Sequence, residues 1–248
     1  MNTNQITVPE NIGLIMDGNG RWAQQLGLSR TEGHTKGIEN MIRLLTHAFS
    51  GGVKTATCFA LSTENMKRDK AELDHILSLI GKVFDYFVSV FSKIRVSISY
   101  VGNLDLIPQE IRSHMKRTED ALRIYRDSGK ILYVCIAYGG RDEIIRAVNT
   151  AIRNGKEVSE KDFLSMLSVP VEPDLIIRTG GKSGCLTSSC IRAPTQSSIS
   201  PTKCSRILQS KIWKKPSCGT LTENGNMGSL TDHDDPRLWS NLPSTSTG

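Results

Sequence analysis

The sequence predicts an α/β domain in which a mostly parallel sheet is flanked by helices on both faces. Two observations carry this. Short apolar runs of strand length alternate with longer segments whose apolar residues recur every three or four positions. Glycines, arginines and carboxyl or amide groups follow four of the runs, at the strand ends where parallel sheets collect their ligands.

Residues 12–16 are a short apolar run before glycine and read as a buried strand. Residues 38–49 carry Ile38, Met41, Ile42, Leu45 and Phe49 at helical spacing, and Gly51-Gly52 ends the helix. Residues 55–61 are the next strand. Residues 71–94 form a long helix, with Leu73, Ile76, Leu77, Ile80, Phe84, Phe87, Val88 and Phe91 on one side. A strand over 96–101 precedes a helix over 108–126, whose Pro108 suits a first turn. A strand over 131–137, a helix over 142–153 and a fifth strand over 174–178 complete the alternation.

The 248 residues suit one large domain or two small ones. The net charge of +6 is uneven: from Lys182 onward there are 8 Lys+Arg and 4 Asp+Glu, which leaves +2 for residues 1–181. A nearly neutral body argues against nucleic-acid binding through bulk charge, so recognition of phosphate has to be local. No secretory signal is visible, and no apolar run approaches the roughly 20 residues of a membrane span. Cys58 and Cys135 sit in strand-like runs as buried thiols. Cys185, Cys190, Cys204 and Cys218 lack zinc-ligand spacing. A reduced, cytoplasmic setting is expected.

Asp17-Gly18-Asn19-Gly20-Arg21 reads either as a tight turn with an Asp cap or as a phosphate cradle with a forked Arg21 donor. In the second reading Asp17 repels phosphate unless a divalent cation lies between them, which implies Mg²⁺. The spacing matches neither a Walker A loop nor a dinucleotide fingerprint. Arg30 and His34, in Arg30-Thr31-Glu32-Gly33-His34-Thr35-Lys36-Gly37, lie just before the first long helix. They are solvated surface, or a pair four residues apart that meets one anion. Ser62-Thr63-Glu64-Asn65-Met66-Lys67-Arg68 is an N-cap cluster, or it supplies Asn65 to a reaction centre and Arg68 to an anion. The Phe84, Phe87 and Phe91 stripe reads first as core and second as the wall of a hydrocarbon tunnel.

Taken together, Met16-Asp17-Gly18-Asn19-Gly20-Arg21-Trp22, the Arg30–His34 block, Phe59 to Asn65, Tyr138-Gly139-Gly140-Arg141 and Asp174 to Gly181 resemble one family, the cis-prenyltransferases, across residues 9–181. The resemblance implies condensation of isopentenyl diphosphate with an allylic diphosphate such as farnesyl diphosphate to give a cis-polyprenyl diphosphate, a lipid-carrier precursor, with release of pyrophosphate. It implies Mg²⁺ on Asp17, which also assists departure of the diphosphate. Gly18, Asn19, Gly20, Arg21, Trp22, Arg30 and His34 would hold the allylic diphosphate, and Ser62, Thr63, Glu64 and Met66 would contact substrate. Asn65 would assist proton removal, and Arg68 and Arg178 would contact substrate, Arg178 on the isopentenyl diphosphate side. A homodimer, with at most peripheral membrane contact through the product, is the family expectation. Two positions depart from the family habit: Met66 stands where Trp is common, and Ala137 where Asn often is.

Residues 182–248 change character. They hold 21 Ser+Thr, no Phe, Tyr or Val, and only 10 Leu+Ile, too few to support a core. The family's Arg-x-Ser element, second Mg²⁺ carboxylate, last strand and dimer-forming helix are missing from this stretch. Codons permitted for residues 183–203, moved by one base, spell a run opening Lys-Arg-Leu-Ser-Asn-Phe that restores the Arg-x-Ser element. A shift of reading frame near Lys182 is therefore expected. The division is a C-terminally incomplete domain over 1–181 and a disordered tail over 182–248, with impaired activity and a doubtful dimer. The rivals are a non-catalytic scaffold of the same fold and an unrelated phosphate-binding module.

Overall fold

Six strands, all parallel, lie in the order β3-β4-β2-β1-β5-β6 in the structure, a computed structural model that describes residues 8–179 and 198–199. The strands are β1 (Asn11–Ile15), β2 (Thr55–Phe59), β3 (Ser97–Val101), β4 (Ile131–Cys135), β5 (Leu175–Arg178) and a two-residue β6 (Ser198–Ile199). The helices are α1 (Asn19–Gln25), α2 (Arg30–Gly51), α3 (Lys70–Lys93), α4 (Gln109–Leu122), α5 (Gly140–Arg153) and α6 (Glu160–Met166). The alternation expected from the sequence is borne out, and each expected strand falls within two residues of its range. The expected tail over 182–248, with its missing last strand and helix, lies outside the described residues apart from Ser198 and Ile199, which pair with Ile176 and Ile177 of β5.

Side chains alternate across the strands as pleating requires. Leu14, Cys58, Tyr100 and Val134 face the main core, where Met41, Leu45 and Phe49 of α2 meet Leu77, Phe84, Phe87 and Phe91 of α3. Phe59, Val101, Tyr133 and Cys135 face the other side and form a smaller cluster with Val169. Cys58 is fully buried, as expected. Its thiol lies 3.1 Å from the Met41 thioether, and burial pushes its pKa up to about 12, which makes it inert.

Three helical readings are corrected. Helix α2 begins at Arg30, eight residues before the expected start. Its Gly33 and Gly37 look like loop residues in sequence, but both are buried where α1 packs on α2. Ser29 and Glu32 form a capping box that fixes this start. Helix α1 was not separated from the glycine turn, and the short α6 was not foreseen. Helix α3 is long and apolar enough by length and mean composition to cross a membrane, although charged residues such as Lys82 and Asp85 break its apolar runs well short of that length, as expected. Leu77, Leu79, Val83, Phe84, Phe87 and Phe91 bury one side of it in the core, which accounts for its apolar character.

Candidate active site

Chain order reverses at β1. The chain leaves β1 toward β2 on one side, and β5 later closes on the other. Such a switch point leaves a crevice at the carboxyl ends of the strands. Asp17 follows β1 there, and Arg178 ends β5 in register with Ile15. The Asp17 amide donates to the Thr179 hydroxyl oxygen at 3.0 Å, which ties the two strand ends together. Arg178 donates to Asp17 Oδ2 through Nη2 at 2.9 Å and Nε at 3.3 Å, and Arg21 Nη2 donates to Oδ1 at 3.1 Å. Burial alone would raise the Asp17 pKa, but the hydrogen bonds and charges of Arg178 and Arg21 outweigh it and hold the carboxylate below its usual range.

Gly18 precedes α1 with a φ of 88°, a left-handed turn that glycine adopts without strain. Asn19, Gly20, Arg21 and Trp22 form the first turn of α1. Gly20 makes room for a side chain: a Cβ there would lie 3.2 Å from Arg30 Cζ. Arg30 thus reaches under α1 and joins a second cluster. Arg30 Nη2 at 3.1 Å, His34 Nε2 at 3.3 Å and Arg68 Nη1 at 2.7 Å all address one oxygen, Oε1 of Glu72. Arg68 also grips Asn65 Oδ1 with Nε and Nη2, at 3.1 and 2.9 Å. This occupies the Asn65 carbonyl oxygen and fixes the orientation of its amide.

Asn19, His34, Asn65 and Arg68 line one cavity with Met16, and Ile76, Ile80, Phe84 and Phe87 continue its wall between α2 and α3. The phenylalanine stripe therefore divides. Phe84 and Phe87 face the cavity. Phe91 is wholly buried and meets Phe49 and Phe87 edge to face.

The structure thus gathers Asp17, Arg21 and Arg178 in one cluster and Arg30, His34, Asn65 and Arg68 in another. Ser62 bridges to Tyr138, and its hydroxyl oxygen accepts from the Asn65 backbone N–H at 3.2 Å, which fixes the backbone at Asn65. Thr63 Oγ1 packs on Gly139, where a Cβ would lie 2.6 Å away. Glu64 is exposed, Trp22 is 45% exposed, and Met66 packs against the core. None of these three joins either cluster. Glu72 was missed in sequence, although its i,i+4 spacing from Arg68 was the available signal. Ala137, at the position where the family often carries Asn, has a φ of 47°, a left-handed conformation that Asn tolerates better than Ala.

His34 carries a pH signature. Burial lowers its pKa; Glu72 works against that, and the charges of Arg68 and Arg30 reinforce it. The folded protein therefore binds fewer protons at this site than the unfolded chain does. Its contribution to stability is full above the unfolded value of about 6.5 and is lost as pH falls below it. Denaturant unfolding from pH 7.5 to 5 should show that decline, and His34→Gln should flatten it.

A family model described as "Putative undecaprenyl diphosphate synthase" matches residues 15–185. The chain belongs to the cis-prenyltransferase family. This cis-prenyltransferase is 36% identical over 180 residues to an isoprenyl transferase of Aquifex pyrophilus, covering 71% of the chain and 77% of that protein. It is 38% identical over 186 residues to a tritrans,polycis-undecaprenyl-diphosphate synthase (geranylgeranyl-diphosphate specific) of Methanopyrus kandleri, covering 71% and 68%. Its fold matches lavandulyl diphosphate synthase from Lavandula x intermedia, a complex with dimethylallyl diphosphate, at TM-score 0.72 and 23% identity, covering 80% of the chain and 89% of that structure. A probable undecaprenyl diphosphate synthase from Campylobacter jejuni matches at TM-score 0.63 and 24% identity, covering 87% and 98%.

Proposed function

We propose that this cis-prenyltransferase condenses isopentenyl diphosphate with an allylic diphosphate such as farnesyl diphosphate, giving a cis-polyprenyl diphosphate and pyrophosphate in the cytoplasm. One observation carries the proposal: His34 and Arg68, with Asn19 and Asn65, share one cavity with a wall of aliphatic and aromatic side chains from α2, α3 and the sheet. That pairing suits a molecule with a diphosphate head and a hydrocarbon tail. Arg30, His34 and Arg21 hold the allylic diphosphate, and Arg178 takes the isopentenyl diphosphate. Asn65, held by Arg68, presents its amide to the condensing unit as that unit loses its proton, which departs with the released pyrophosphate. An amide is a weak base, so Asn65 orients rather than abstracts. The cavity is about 90 Å³, well short of the roughly 300–1,000 Å³ of a ligand pocket, so α3 has to part from α2 as a chain grows.

Among the described residues no group of three or more His, Cys, Asp and Glu side chains could hold a metal. The donor set still fits Mg²⁺, because that ion is commonly held by one carboxylate together with substrate phosphates. Asp17 is that carboxylate. Bound there, Mg²⁺ would neutralise charge developing on the departing diphosphate. The test is incubation of the full chain with labelled isopentenyl diphosphate, farnesyl diphosphate and Mg²⁺. Butanol-extractable label that disappears with EDTA is expected. Binding of farnesyl diphosphate without any turnover, under all metal conditions, favours the scaffold reading.

The tail belongs to the same proposal. We read residues 182–248 as the product of a frame shift, which removes the Arg-x-Ser element and leaves turnover by the chain low. Sequencing the coding DNA across residues 178–203 should find one base missing or extra. An intact frame there overturns the reading.

A further inference from the structure

We propose that Glu72 is an internal competitor of the diphosphate, a positioning residue that occupies the donors of the anion site and yields them when substrate arrives. The inference rests on the placement of the allylic diphosphate at Arg30 and His34. Three donors, two from α2 and one from the turn before α3, converge on Glu72 Oε1: Arg30 Nη2 at 3.1 Å, His34 Nε2 at 3.3 Å and Arg68 Nη1 at 2.7 Å. A carboxylate oxygen has two lone pairs, so three donors cannot all be served at full strength. A diphosphate offers many more acceptor oxygens and more negative charge, so it satisfies the same donors better. Glu72 sits in the first turn of α3, and two of its donors, His34 and Arg68, line the cavity that the diphosphate's hydrocarbon would enter.

The arrangement has two consequences. Without a counter-ion, Arg30 and Arg68 would repel one another across the cleft. Glu72 keeps them aimed at one point, so the donors are pre-oriented before an anion arrives. Glu72 also opposes the anion it prepares for, because its own negative charge stays close when the donors transfer. That repulsion helps pyrophosphate leave. A residue with a purely structural role would only strengthen binding.

The experiment is calorimetric titration of the full chain with inorganic pyrophosphate, without divalent metal so that Asp17 is not recruited, for the wild type, Glu72→Gln and Arg30→Ala. Arg30→Ala should bind more weakly than wild type. Glu72→Gln should bind pyrophosphate at least about fivefold more tightly, the effect of removing one like charge at about 4 Å in a water-like medium. In turnover it should show a lower KM for the allylic substrate together with a lower kcat, because product pyrophosphate leaves more slowly. Glu72→Ala is read in the same way if the glutamine variant does not fold. Wild-type binding with no tightening in the folded Glu72 variant overturns the role of Glu72 and leaves the anion site standing. Absence of wild-type pyrophosphate binding overturns both.

Discussion

Asp17→Asn is expected to lower turnover by about a thousandfold while leaving the protein folded. Asp17 is the one carboxylate among the described residues that both arginines of the first cluster address, Arg21 at 3.1 Å and Arg178 at 2.9 Å. Its ionised form is therefore the resident form. The folded pKa lies below the ordinary value, so the stabilising ion pairs are present above about pH 4 and fail only as pH falls through the folded pKa. Asparagine keeps the shape and one acceptor oxygen but removes the charge. On the proposed mechanism Asp17 would hold Mg²⁺ against the departing diphosphate, and Asn could not; preorganised electrostatics of this kind is worth roughly two to three orders of magnitude. The fold loses only charge-assisted hydrogen bonds, about 1–3 kcal/mol. Steady-state turnover beside a melting curve checks both halves. Near-normal turnover would remove Asp17 from the mechanism.

Gly33→Ala should produce the largest structural loss. A Cβ at Gly33 would stand 2.3 Å from the Asn19 carbonyl oxygen and 2.8 Å from Ala23 Cβ. The first is backbone and cannot rotate away, so α1 has to lift from α2. We expect the free energy of unfolding to fall by about 2–4 kcal/mol, at the high end of overpacking. Arg21 and the Gly20–Arg30 contact ride on α1, so pyrophosphate binding should fall with it. Gly37→Ala makes the informative contrast. Its Cβ would meet Asn19 Nδ2 at 2.1 Å, the tip of a side chain that can turn aside. That variant should keep most of its stability and lose affinity, because Asn19 lines the cavity. Denaturant titration and pyrophosphate titration of the two variants separate the cases. Equal stability losses would refute the distinction.

These glycines also mark where the sequence stops being legible. Strands β1 to β5 are plain in the apolar runs, and the Arg30-x-x-Gly33-His34-x-x-Gly37 spacing is plain as a motif. That the motif is helical is not plain, because Gly33 and Gly37 are poor helix formers locally. They serve a contact with Asn19, which belongs to another element. Glu72 was obscured in a similar way. It reads as an ordinary first-turn acid, and only folding brings Arg30 and His34 to it from about 40 residues away. The division of the phenylalanine stripe into Phe84 and Phe87 on the cavity and Phe91 in the core depends on how α3 turns against α2. A 3.6-residue period cannot specify that rotation to within one position.

The pairing of Asp17 with Arg178 has a consequence for synthesis. The partners are 161 residues apart in the chain, and β1 lies between β2 and β5. At about 5–20 residues per second, β1 leaves the ribosome roughly 8–30 seconds before β5 exists. During that interval its outer edge is an unpaired row of amides and carbonyls on an apolar strand, the kind of surface that recruits foreign strands. The first cluster of the site is therefore also among the last parts of the described domain that can form. A nascent chain stalled before residue 174 would hold the residues of the second cluster while still needing a chaperone for β1.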